Sequence, residues 1–117
     1  MQKKNIIYDK FFQFSIEVVK LYKYLTNTQK EYVISKQLLR SGTSIAANIK
    51  ESVYGQSRKD FVSKLSIALK EASETEYWLE LLLATDYLKK KTGRELMSDL
   101  LEIVKMLTAS LNTAKKQ

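Results

Sequence analysis

Apolar residues recur along this chain in alternating steps of three and four, in four blocks separated by short polar interruptions. Ile7, Phe11, Phe14, Val18, Leu21 and Leu25 share one stripe, which predicts a helix from about Ile6 to Leu25. Thr28 with Glu31 three residues on has the form of a capping box. It opens a second helix that runs through Val33, Leu38, Leu39, Ile45, Ile49 and Val53 to about Tyr54, with Gly55 as its stop. Ser57 and Asp60 repeat the box before Phe61, Leu65, Ala68, Ala72, Thr75, Leu79 and Leu82, a heptad seam ending near Leu88. Lys89, Lys90 and Lys91 then suit the negative end of that helix's dipole. Thr92 and Glu95 start a fourth helix carrying Leu96, Leu100, Ile103, Leu107 and Leu111 before Lys115 and Lys116. Helices of about 20 residues, each roughly 30 Å long, joined by short turns make an all-α, antiparallel up-down-up-down four-helix bundle. Residues 1–117 read as a single domain of that kind.

The second block is unusual in its polar content. Arg40, Ser41, Ser44 and Asn48 are interleaved so closely with Leu39, Ala46 and Ile49 that some must lie at or beside the buried seam, where each needs a partner. A short connection makes helices two and three antiparallel neighbours and brings Arg40 level with Ala72 to Glu76. Arg40 is therefore expected to pair with Glu76 or, failing that, Glu80 or a backbone carbonyl. Ser44 and Asn48, one turn apart, fit a hydrogen-bonded layer that fixes the register of helix two, with a ligand or RNA contact as the alternative. Arg40, Ser44, Asn48 and Glu76 form the expected structural polar core. Glu51 is expected to pair with Arg58 or Lys59 across the turn, or to meet a neighbouring subunit. Gly42, among Ser41, Ser44, Ala46 and Ala47, predicts a close approach by another helix. On helix one, Tyr8, Phe12, Val19 and Tyr22 form a second apolar stripe, wider than one bundle requires, which fits an interface between subunits.

Composition sharpens this picture by exclusion. There is no proline, and only Gly42, Gly55 and Gly93 among glycines, as suits long helices. Without cysteine or histidine the chain has no disulfides, no thiolate or imidazole metal site, no Ser-His or Cys-His nucleophile and no Glu-x-x-His di-iron pair. A glycine-rich phosphate loop is also missing, so the chain reads as non-enzymatic, with no cofactor, metal or small-molecule substrate. The helix-spaced Glu71, Glu74, Glu76 and Glu80 fit a solvated face or salt-bridge partners better than a cation site. The start, MQKKNIIYDKFF, lacks the apolar region of a secretion signal, and the run from Leu79 to Ala84 is far below the roughly 20 residues of a spanning helix. No membrane partner and a cytoplasmic location are expected.

Net charge is +7 and uneven: residues 71–88 carry five acidic and no basic side chains, whereas residues 1–70 carry thirteen basic and five acidic ones. A positive surface favours polyanions, nucleic acid first among them. Lys50, Arg58, Lys59 and Lys64 gather near the turn between helices two and three whatever the exact phasing, and Tyr54 can stack on a base beside them. Ordinary solvated lysines at helix ends explain the same residues.

The segments LRSGTSIAANIKES, SRKDFVSKLSIAL and ETEYWLELLLATDYL together resemble the small bacterial four-helix-bundle proteins encoded by intervening sequences of 23S ribosomal RNA genes. The family pattern is approximately L-R-R-S/A-x-x-S-I-x-x-N-I-A-E-G, then S-K-K-E-F, then L-x-I-A-x-x-S-x-x-E. Arg40, Ser41, Ser44, Ile45, Asn48, Ile49 and Glu51 fall on its first part, and Ser57, Lys59, Phe61, Leu65, Ile67, Ala68 and Glu76 on the rest. Lys50 stands where a small residue is usual, and Ser52 replaces the glycine after the glutamate. The resemblance covers nearly the whole chain. It extends to accessory proteins of diversity-generating retroelements, which implies a homo-oligomer, a pentamer, and an RNA or DNA partner. Two functions follow: an oligomeric nucleic-acid-binding protein, RNA first, or a structural adaptor module that binds protein through its helix-one stripe.

Overall fold

The computed structural model describes residues 6–116, with side chains from Tyr8 onward, so Ile7 of the predicted stripe lies outside the described side chains. It contains α1 (Ile6–Asn27), α2 (Ile34–Ser52), α3 (Arg58–Ala84) and α4 (Lys90–Lys116), and no strand among the described residues. Each helix packs on two others and not on its diagonal, so the four make a square bundle, 46 × 29 × 22 Å, with alternating directions. Phe11, Phe14, Val18, Leu21 and Leu25 of α1 are buried, as are Leu65, Ala68, Ala72, Thr75, Leu79 and Leu82 of α3 and Leu96, Leu100, Ile103, Leu107 and Leu111 of α4. The heptad seams of the sequence are the core of the molecule. Gly42 lies against α1, and a Cβ built there would sit 2.8 Å from Cγ1 of Val18, the close approach its small neighbours implied. Gly93 does the same between α4 and α3, where an added Cβ would come 2.8 Å from Cγ of Leu83.

Helix boundaries depart from the sequence reading at two places. α2 begins at Ile34, not at Thr28, and residues 28–33 form an irregular connection in which Lys30 takes a left-handed backbone, φ 56°. Glu31 does cap the helix, but forwards. Its buried carboxylate accepts the N–H groups of Val33 (3.1 Å), Ile34 (2.9 Å) and Ser35 (2.7 Å), and the Ser35 hydroxyl donates back to the Glu31 carbonyl at 2.8 Å. Burial pushes this carboxyl up, yet the three amides outweigh that and hold it below the ordinary range. Val33, expected in the core, is 74% exposed because it precedes the first helical turn. At the other end α2 stops at Ser52, which leaves Val53 outside the helical stripe and on the surface.

The second departure concerns the lysine triplet. α3 ends at Ala84, where Asp86 turns the chain with φ 64°, and α4 begins at Lys90. Lys90 and Lys91 therefore stand in the first turn of α4, which has no acidic residue, and Thr92 and Glu95 lie within the helix instead of capping it. A cation at the positive end of a helix dipole costs ~0.3–1 kcal/mol, so Lys90 and Lys91 oppose the dipole of α4 instead of complementing the end of α3. The start of α3 matches its capping signature: Ser57 accepts from the backbone N–H of Asp60 at 3.1 Å.

Candidate nucleic-acid interface

The α2–α3 turn is set by a helix stop and a helix start five residues apart. α2 finishes at Ser52, whose hydroxyl donates to the Ile49 carbonyl at 2.6 Å, and Gly55 N–H closes the turn on the Ser52 carbonyl at 3.2 Å. Asp60 takes the Gln56 N–H at 3.2 Å and so ties the turn to α3. Lys50 is exposed in the last turn of α2, and Arg58 and Lys59 are exposed in the first turn of α3. Tyr54, 78% exposed, stands at the apex between them. Lys64, half-buried, is held by Glu51, Nζ to Oε1 2.8 Å. Glu51 thus pairs with Lys64, about one and a half turns deeper along α3 than the Arg58 or Lys59 expected from the sequence. Such an exposed pair is worth at most ~1 kcal/mol, so Lys64 can exchange its carboxylate for a phosphate at little cost.

The expected polar core is not where the sequence placed it. Arg40 is on the surface, with its side chain 48% exposed, and pairs with Glu71 (Nη1 to Oε2 3.3 Å) and with Glu74, not with Glu76. Thr75 faces α2, and Glu76 follows it by roughly 100° around the helix, away from the flank that carries Glu71 and Glu74. The level along the axis was read correctly and the azimuth was not. Ser44 donates to the Arg40 carbonyl at 2.7 Å and Asn48 to the Ser44 carbonyl at 2.8 Å, so both serve their own helix and cross to no other. The hydroxyls that do cross are Ser41 and Thr75, both fully buried, with oxygens 2.9 Å apart. Their signal was present in the sequence, as a threonine on the α3 heptad seam and a serine three residues before Ser44.

On α1, Tyr8 stacks on Phe12 with ring centroids 6.1 Å apart. Phe12 and Val19 are 49% and 37% exposed, while Tyr8 and Tyr22 are half-buried. No group of carboxylates suited to a metal ion occurs among the described residues, and Glu71 and Glu74 are engaged by Arg40. No helix among the described residues is long and apolar enough to cross a membrane.

The family model described as 23S rRNA-intervening sequence protein matches residues 3–109. The chain belongs to that family. A solved member of the S23 ribosomal protein family, a protein of unknown function from Bacteroides thetaiotaomicron VPI-5482, is 53% identical over 91% of this chain and 98% of its own, with a TM-score of 0.89. No curated protein matches the chain. For this member of the 23S rRNA-intervening sequence family, the resemblance carried by Ser44, Asn48, Glu51 and their neighbours extends over residues 3–109. Ser41, also on the family pattern, supplies the cross-helix hydroxyl contact.

Proposed function

We propose that this chain is a non-enzymatic nucleic-acid-binding protein, with RNA as the preferred partner, that works in the cytoplasm as a homo-oligomer. The observation that carries the reading is the solvent-facing group of Lys50, Tyr54, Arg58 and Lys59 on one short turn, cations around an aromatic ring that no core packing requires. The family's description, which refers to 23S rRNA, supports RNA as the polyanion. Exposed Phe12 and Val19 support burial of the α1 stripe, with Tyr8 and Tyr22, between copies, and the five-fold ring is the assembly implied by the resemblance. A gel shift with single-stranded RNA across a salt series tests the reading. The triple charge reversal K50E/R58E/K59E is expected to abolish the shift with helicity unchanged, and retained binding removes this surface. The second reading, a protein adaptor, rests on the same exposed α1 stripe. It gives a complex whose affinity hardly changes with salt, whereas phosphate contacts weaken steeply.

A further inference from the structure

The opposite end of the bundle is also cationic, and helix stability does not explain it. The α1–α2 and α3–α4 connections meet there: the Gln29 side-chain amide donates to the Tyr87 carbonyl at 3.3 Å and lies 2.8 Å from the Tyr24 hydroxyl. That contact brings Lys30 and, in the first turn of α2, Lys36 to the same end as Lys89 and, in the first turns of α4, Lys90, Lys91 and Arg94, all six exposed. None of the six has an ion pair among the described residues. The carboxylates nearest this end include Glu80, Asp86 and Glu95, Glu17 across the groove from Lys89, and Glu31, whose charge is spent on three backbone amides. Exposed Tyr32 stands in the same connection as Lys30.

Position makes the lysines informative. At the end of α3 they would have complemented the helix dipole and needed no further account. At the start of α4, with no acidic residue in the first turn, they work against it. A cationic group kept where it opposes its own helix is suited to a negatively charged partner. We infer that the end of the bundle formed by the α1–α2 and α3–α4 connections is a second, independent RNA-binding surface, so that one chain holds two RNA segments at opposite ends of its 46 Å axis. This rests on the RNA reading of the α2–α3 turn and extends it from a site to a bridge between strands.

Titration calorimetry with a uridine hexamer at low salt tests it. The hexamer spans about 20 Å at ~3.4 Å per stacked nucleotide, too short to reach both ends. The wild-type chain is expected to take two hexamers, and K89E/K90E/K91E one, as is K50E/R58E/K59E. Reversal at Lys89–Lys91 places carboxylates where the dipole favours them, so this variant should melt no lower than wild type, and its lost binding cannot be assigned to unfolding. With a 20-nucleotide strand, its salt slope should be shallower by about 0.7 for each phosphate contact removed. One hexamer per wild-type chain, unaffected by reversal at Lys89–Lys91, overturns the second surface and leaves the α2–α3 turn standing. One hexamer lost only on reversal at Lys89–Lys91 overturns the turn and the bridge together. No binding by the wild-type chain overturns both readings of RNA.

Discussion

The seam between α2 and α3 and the seam between α1 and α4 solve one packing problem in different ways. α2 and α3 share the most extensive interface in the molecule, with the Ser41–Thr75 hydroxyl pair buried inside it and Arg40 clasping Glu71 and Glu74 along its outer edge. α1 and α4 touch least. Along that seam lie solvent-open grooves of about 250, 410 and 110 Å³, all bordered by Glu17, with Leu21, Leu88 and Leu96 among the residues lining the first. Lys10 and Glu102 tie the two helices across it, and that contact raises the lysine's pKa despite the opposing effect of desolvation. A hairpin turn holds α2 and α3 at a fixed spacing, whereas α1 and α4 are brought together only by the packing of the other pairs. The α2–α3 seam therefore carries a buried polar contact, whereas the α1–α4 seam is grooved and open to solvent.

Truncation of apolar side chains should break this comparison most visibly. Leu79, one turn beyond Thr75 and fully buried, should lose ~3–5 kcal/mol on replacement by alanine, because the surrounding interface cannot collapse onto the void. Leu96→Ala, beside two solvent-open grooves into which its neighbours can relax, should lose only ~2–3 kcal/mol. Urea unfolding measures both, and equal losses would show the seams to be equally tight. Next in size is Thr75→Val, expected to cost ~1–3 kcal/mol by leaving the Ser41 hydroxyl buried without its cross-helix partner. Adding Ser41→Ala should recover part of that loss, whereas additive losses would mean the hydroxyls act separately. The smallest effects belong to the ion pairs. A double-mutant cycle between Arg40 and Glu71 should return no more than ~1 kcal/mol, and the cycle between Arg40 and Glu76 should return nothing.

What could be read from the chain follows from how far each signal reaches. Phe11 to Leu25, Leu65 to Leu82 and Leu96 to Leu111 repeat over several turns, so their periodicity averages out local noise, and the heptad-spaced residues form the core as expected, with Phe61 packed half-buried against it. Short signals were less secure. Thr28 and Glu31 have the spacing of a capping box, but Glu31 can reach amides on either side of itself, and only the left-handed turn at Lys30 decides which. Asp86 decides the fate of Lys89 to Lys91 in the same way. Among the candidate site residues, the exposure of Lys50, Tyr54, Arg58 and Lys59 was legible, since a five-residue turn leaves them little choice. The partner of Arg40 was not, because level and azimuth must both be known and the heptad alone supplies the first.

The meeting of Gly42 with Val18 binds two distant positions into one decision. A carbon atom added at the first must be taken away at the second, so Gly42→Ala alone should wedge α1 from its neighbour, and shortening Val18 to alanine should let the pair close again. The two positions, 24 residues apart in the chain, thus share one volume, and neither can be enlarged without the other giving way.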